Sequence, residues 1–215
     1  MKKNCINYKN RGKLLRSTTL FLCFALIFQL SAPDSGAVGK AQNSANVGFS
    51  NRDLSRELVR PIELFDGYDL LSYKSFDVLE RDEKAVRLGD DNVNIVASYY
   101  PYASTGDFED LVDGFYDSAD VIYLGRSLPI RKKKSAYVIS DDGGRERKAV
   151  HVMSRSNDWA LFYHALLLDE GDRALIIVAH GTAYPETKPY FATFVSVQTL
   201  RSLRINKTHR LRITD

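Results

Sequence analysis

The most constraining feature of this chain is a block of four β-rich segments between Ser135 and His180. They read SAYVISDD, RERKAVHVMSR, WALFYHALLLD and RALIIVAH, and short links rich in Gly, Asn, Asp and Glu separate them. Runs of β-branched and aromatic residues bounded by turn-forming residues are typical of strands joined as hairpins. The block therefore predicts an antiparallel meander that forms the centre of the fold.

The links also predict a register for this meander. Two-residue turns at Asn157-Asp158 and Glu170-Gly171 would place Ser156 opposite Trp159, and Leu168 opposite Arg173. Because side chains alternate between the faces of a sheet, one face would then carry Met153, Phe162, Leu166, Leu175 and Ile177. The other face would carry Val150, Val152, Leu161, Tyr163, Leu167, Ile176 and Val178. Both faces are apolar, unlike those of a sheet with one face in water.

Each apolar face must be shielded from water by another element, and the sequence predicts two helices that could do this. GDFEDLVDGFYDSA, with Asp107 or Thr105 as its cap, repeats apolar residues at helical spacing, and PETKPYFATFVSVQTLRSL predicts a second helix. KSFDVLE and NVNIVASYY predict strands, and DLSRELVRPIELF predicts a short helix from Asp53 that Pro61 stops. The expected fold class is α+β, a mainly antiparallel sheet covered by helices on both faces, that is, a helix–sheet–helix sandwich.

This order of elements resembles the PsbP-like fold, a family of small exported domains. The resemblance covers about residues 73–203: strands, a helix at Asp107–Ala119, GRSLPIRKKKSAYVIS leading into the meander, and a helix ending in FATFVSVQTLRSL. It is a resemblance of pattern, with no residue motif behind it. It implies an accessory or binding module, and it transfers no catalytic residue to this chain.

The first 37 residues have the three-part pattern of a secretory signal peptide. Basic residues without an acid precede an apolar core of eleven residues from Leu20 to Leu30, and the small residues Ser35 and Ala37 follow. A membrane-spanning helix needs about 20 apolar residues, so the core is short for an anchor. We expect cleavage after Ala37 and an exported protein, periplasmic or secreted. An uncleaved anchor and a second cleavage site at Gly39 and Ala41 are the alternatives.

Removing this leader changes both the cysteine count and the charge. Cys5 and Cys23 both lie within it, so the mature chain has no disulfide. The whole chain has a net charge of +3, but the part after Ala37 has 24 basic and 26 acidic residues. That balance gives no general electrostatic case for nucleic acid. We expect a flexible lead-in at 38–60, one globular domain at 61–203, a basic tail at 204–215 and no integral membrane segment in the mature chain.

The candidate chemistry is a histidine pair. In the predicted register, His151 lies directly opposite His164, close enough to share a proton or a metal ion. No acidic residue on that face offers an evident third ligand, and the sequence contains no G-x-S-x-G, H-E-x-x-H or Walker motif. Two readings follow: structural histidines in a core, or a metal-assisted hydrolase using His151 and His164. We expect no cofactor for the first reading, which we favour.

Two further stretches are candidate binding residues. One is SYYPYAS, which contains Tyr99, Tyr100 and Tyr102, and the other is RKKK, which comprises Arg131, Lys132, Lys133 and Lys134. Tyrosines are frequent at interfaces, and a basic run suits an anionic surface or an acidic exported protein. The alternative for both stretches is ordinary packing and solvation. The expected function is an exported, non-catalytic accessory or binding module; a periplasmic chaperone or immunity-type partner of a secreted protein is a further alternative.

Overall fold

The computed structural model describes residues 58–102, 107–119, 122–123, 126–127, 130–141, 143–184, 187–206 and 211–213. The predicted signal peptide, its cleavage site after Ala37 and most of the expected lead-in lie outside this part of the chain. Strands dominate the described residues. The strands are β1 (Leu58–Phe65), β2 (Tyr68–Tyr73), β3 (Asp77–Arg81), β4 (Ala85–Gly89), β5 (Val93–Pro101), β6 (Ile122–Tyr123), β7 (Arg126–Ser127), β8 (Ile130–Ser140), β9 (Glu146–Ser156), β10 (Leu161–Asp169), β11 (Arg173–Thr182), β12 (Arg204–Ile205) and β13 (Leu211–Ile213). The helices are α1 (Phe108–Ser118) and α2 (Tyr190–Arg201).

Most strands belong to one antiparallel sheet of eight, in the order β13-β8-β9-β10-β11-β5-β4-β3. The predicted meander β8 to β11 lies at its centre, and β5 joins it beside β11. A second sheet has the order β1-β2-β12, and β6 pairs with β7. The residues expected to form a basic tail thus contribute two short strands, β12 beside β2 and β13 beside β8.

The prediction of an α+β helix–sheet–helix sandwich is wrong, because the described chain is mostly β and has a second sheet. One core cluster joins the large sheet to the small sheet and α2, with Leu64 and Leu70 among its buried members. Eight strands span about 34 Å, whereas a helix is only about 10 Å wide. One helix therefore cannot cover this face, and the small sheet covers part of it. Helix α1 contacts β9 and β10.

Residues 58–61, expected at the end of a helix that Pro61 stops, are instead part of strand β1. Pro61 lies opposite Leu71 of β2, and β1 has no other partner strand in the part of the chain that the structure describes. Proline is tolerated on an edge strand because its missing N–H donor can face away from the partner. Pro61 does exclude a continuing helix, as the sequence indicated, but it lies in an edge strand and not at the end of a helix.

The other predicted elements are present where the sequence placed them. Helix α1 is capped by Asp107, whose carboxylate accepts a hydrogen bond from the Asp110 N–H at 3.1 Å. Helix α2 spans most of its predicted stretch despite Pro189 just before it. Strands β3 and β5 match KSFDVLE and NVNIVASYY.

The register of the meander differs from the prediction by two residues in both hairpins. Ser156 and Leu161 flank a four-residue connection, so Leu166, and not His164, lies opposite His151. At the next hairpin, the Glu170 N–H bonds the Arg173 carbonyl at 2.9 Å, and the turn is centred on Gly171 and Asp172. A slip of one residue would exchange the faces, whereas a slip of two preserves them. The predicted compositions of both sheet faces are therefore confirmed.

Candidate ligand-binding groove

An open groove of about 520 Å³ lies between α2 and the β8–β10 part of the large sheet. Small-molecule sites commonly have volumes of about 300–1,000 Å³. The groove exists because α2 packs on β10 and β11, with further contacts to β2 and β5, and leaves open the start of β8 and the end of β9, from Arg131 to Lys133 and from Met153 to Arg155. Its position follows from one helix covering only part of a wide sheet.

Helix α2 contributes one wall of the groove through a single stripe of its surface. The stripe repeats at intervals of three and one residues, the spacing of one helix face: Tyr190, Thr193, Phe194, Val197, Gln198 and Arg201. The helix buries a different set in the core, including Phe191, Val195 and Leu200. One side of α2 therefore packs in the core, and another side lines the groove.

Strands β8, β9 and β10 contribute the other wall and the floor. Arg131 lies directly opposite Arg155, and Lys133 lies opposite Met153, which in turn lies opposite His164. All five residues are on the sheet face toward α2, and they line the groove. His164 is 1% exposed and forms part of the floor, whereas Arg131 and Lys133 are exposed at the rim.

The groove carries positive charge without compensation. Among the described residues, no Asp or Glu lines it, and no acid forms a salt bridge with Arg131, Lys133, Arg155 or Arg201. Like charges directly opposite each other on a sheet are destabilising. Partial burial, with the nearby charge of Arg131, lowers the pKa of the Arg155 guanidinium. This arrangement favours an anion.

Trp159 stands at the rim in a strained backbone conformation. Its φ is +67°, a left-handed value that is rare for a bulky residue. The Arg155 guanidinium lies 3.2 Å from the centre of its ring, and the Tyr190 ring lies 6.5 Å away, edge-on. Strained residues of this kind concentrate at binding and active sites. The four-residue connection thus presents an aromatic–cation pair at the groove mouth.

His151 and His164 are close although they are not opposite each other. Their ring centroids are 5.9 Å apart, with the rings edge-on, and the ring of Phe162 stacks on His164 at 5.2 Å. Burial lowers the pKa of His151 to about 3, and burial with the charges of His151, Arg155 and Arg201 lowers the pKa of His164 well below its usual value. Neither ring has a hydrogen-bond partner among the described residues. Both are neutral imidazoles at neutral pH.

The pair does not extend into a recognisable metal centre within the described chain. That part of the protein contains no group of three or more His, Cys, Asp or Glu side chains arranged to hold a metal ion. Catalytic zinc sites use three protein ligands. The metal-assisted hydrolase therefore gains no support from the surroundings of His151 and His164.

The RKKK stretch divides between the two faces of the sheet, because it lies inside β8 and not before it. Arg131 and Lys133 point to the groove. Lys132 donates hydrogen bonds at 3.2 Å to the carbonyls of Tyr116 and Asp117 in the last turn of α1, and Lys134 pairs with Asp113 at 2.9 Å. A cation at a helix C-terminus is favourable. Two of the four charges thus hold α1, and two are available to a ligand.

The predicted tyrosines lie elsewhere. Tyr99 is about 20 Å along the strands from Arg131 and about 19 Å across them, by strand spacing. Its ring contacts Phe65 at 4.7 Å and lies beneath the Arg173 guanidinium at 4.0 Å. Tyr100 lies on the opposite sheet face from Tyr99, and the Tyr102 hydroxyl donates to Asp169 at 2.8 Å. The two predicted binding stretches therefore do not form one site.

Sequence reasoning missed Arg155, Trp159, Tyr190 and Arg201. The signal for the α2 residues was present, since a second stripe at helical spacing runs beside the core stripe. No local signal indicated that Trp159 adopts a left-handed backbone. Side chains alternate between the faces of a sheet, so the position of Arg155 on the same face as Met153 could have been predicted from the sequence.

No protein-family model matches this chain, and a search of curated proteins found no significant relative. Among the described residues, no helix combines the length and apolar character that a membrane crossing requires. The groove itself is therefore the basis for a functional conclusion. Its chemistry is that of binding: uncompensated cations, aromatic rims, an apolar wall and a neutral imidazole on the floor.

Proposed function

We propose that this protein is an exported, non-catalytic binding module, and that the groove beside α2 binds an anionic ligand. The leader pattern of residues 1–37 and the pattern-level resemblance to PsbP-like domains support the exported, accessory part of the proposal. Fold resemblance alone does not define a function. The site supports the binding part.

The observation that carries the proposal is the set of five basic residues that line the groove, with no acid of the described residues among them. Arg131 and Arg155 are held side by side by backbone pairing, and Lys133 is the next residue toward the groove on the same strand. Arginine and lysine are the usual ligands of carboxylate and phosphate groups, and charge-assisted hydrogen bonds are about twice as strong as neutral ones. An anion between them would replace repulsion with attraction.

A matched pair of double variants tests this proposal. Arg131→Gln/Lys133→Gln removes two charges from the groove, and Lys134→Gln/Lys148→Gln removes two charges from the opposite face. In low salt, we expect the first variant to bind inorganic phosphate and decanoate at least tenfold more weakly than the native protein. The second variant should change affinity less than twofold, because its lysines pair with Asp113 and Glu109 of α1.

The measurement is isothermal titration calorimetry, with thermal melts to confirm that both variants are folded. Equal losses in the two variants would indicate a general effect of net charge. Binding that neither variant weakens, or no binding of either probe, would contradict the proposed site.

The exported state has its own test. We expect the mature protein to begin at Val38, because Ser35 and Ala37 supply the small residues that a signal peptidase needs. N-terminal sequencing of the protein recovered from the exported fraction checks this. An intact Met1 in the membrane fraction would indicate an uncleaved anchor, and a start after Ala41 would indicate the second cleavage site.

A further inference from the structure

The groove has a cationic part and an apolar part, and their proximity limits what its ligand can be. Arg131 and Arg155 are at the strand ends near Trp159, whereas Phe194 and Val197 line the wall along α2. Met153 extends the apolar surface onto the sheet, and it lies directly opposite Lys133. A small inorganic anion would use the first part of this groove and leave the second part in water.

The apolar part is a strip and not a broad patch. One stripe of one helix faces one strand pair, and Phe194, Val197 and Met153 are each half-buried. The Trp159 and Tyr190 rings close one end of the strip, 6.5 Å apart. A strip lined by one helix stripe and one strand pair suits a single extended chain lying along α2.

We infer that the ligand is a single-chain amphiphile with a carboxylate head, of the fatty-acid type; this inference rests on the proposed function. The head lies between Arg131 and Arg155, where it neutralises two opposed cations, and Lys133 is the adjacent donor. The chain lies along Phe194 and Val197. Each CH₂ group removed from water contributes about fourfold in affinity, so the chain sets the affinity and the arginines set the head specificity.

A comparison of four probes tests this inference on the purified exported protein. Decanoate has head and chain, acetate has the head alone, decan-1-ol has the chain alone, and phosphatidylglycerol vesicles present an anionic head in a bilayer. Trp159 is the only tryptophan of the chain and lies at the groove mouth, so its fluorescence reports occupancy. We expect decanoate to bind at least tenfold more tightly than acetate or decan-1-ol.

The possible outcomes separate the inference from the proposed function. If acetate binds as tightly as decanoate, and Arg131→Gln/Lys133→Gln weakens both, the groove binds anions without using a chain; the inference fails and the proposed function stands. If decan-1-ol equals decanoate, the cations play no part and both fail. Vesicle binding that free decanoate does not compete would assign the groove to a membrane surface and overturn the inference.

A substitution in the apolar wall gives a second, independent test. Val197→Asp places a negative charge beside the expected chain, and we expect at least tenfold weaker decanoate binding with inorganic phosphate binding retained. Val138→Asp is the matched control, because Val138 is a half-buried valine on the opposite face of β8. Equal decanoate binding by native protein and a folded Val197→Asp variant would overturn the placement of the chain.

Discussion

Lowering the pH from 7 to 5 should remove a large part of the stability of this protein. The pKa of His151 is about 3 and that of His180 about 4 in the folded state, and the pKa of His164 is also well below the ordinary value of 6.5. Below pH 6.5 the unfolded chain binds protons that the folded chain does not, so the free energy of unfolding falls. Each such histidine contributes a loss of about 1.4 kcal/mol per pH unit. Three together approach the whole stability of a typical domain, about 5–15 kcal/mol, near pH 5 to 4.

The pH window identifies the histidines as the cause. The carboxylates of Asp82, Asp141 and Asp158 have lowered pKa values, so their contribution is present above the ordinary carboxylate range and is lost only at lower pH. Urea unfolding at pH 7.5, 6.0 and 5.0 measures the histidine part alone.

His151→Leu is the diagnostic variant. It removes one of the three histidines, so the decline of stability between pH 6.5 and 5 should become about one third shallower. At pH 7.5 its effect should be small, because an apolar side chain replaces two ring nitrogens that have no partner among the described residues. A stability that is flat between pH 7.5 and 5.0 in the native protein would mean that these imidazoles accept protons without unfolding.

Gly181→Ala should be a strongly destabilising substitution, although it adds only one methyl group. Gly181 is in β11, and a Cβ atom there would lie 2.0 Å from the backbone carbonyl oxygen of Asn92 and 3.1 Å from the Val93 Cα. The same carbonyl accepts a hydrogen bond from the Thr182 N–H at 3.0 Å. Since neither strand can yield without breaking the β5–β11 pairing, we expect a loss of about 3 kcal/mol, at the upper end for overpacked sites.

Gly143→Ala is the matched control for this prediction. Gly143 lies in the β8–β9 connection, where an added Cβ meets only the Asp141 side chain at 3.4 Å. Thermal or urea unfolding of both variants should show little change for Gly143→Ala. A Gly181→Ala variant as stable as the native protein would show that β5 and β11 can separate locally at little cost.

The hairpin registers show how far sequence reasoning reaches in this protein. Alternation placed every central apolar residue on its correct face, because the error of two residues at each hairpin preserved parity. The length of the connection was not predictable, since it depends on Trp159 accepting a left-handed φ. It also depends on the Ser156 hydroxyl, which accepts a hydrogen bond from the Leu161 N–H at 3.0 Å across the loop.

The second sheet was missed for a different reason. β12 has only two residues, too few to show a period, and β1 carries Pro61, which is read as a helix breaker. Short edge strands form because partners are already in place, and local sequence does not record those partners. The same limit applies to the groove. Sequence reasoning selected Arg131 and Lys133, but their contact with α2 is a tertiary relation.

The order of strands in the large sheet also constrains when this chain can fold. Residues 58–101 can form the β1–β2, β3–β4 and β4–β5 hairpins as soon as they are made, but β5 joins the rest of the large sheet only through β11, some 80 residues later. Pairing between segments so far apart in sequence is slow, because loop closure precedes any gain from contact. The first half of the chain therefore has no complete sheet to enter until the second half is present. A nascent chain would therefore lack its central sheet until β11 is made, and this open state is compatible with the export that we propose.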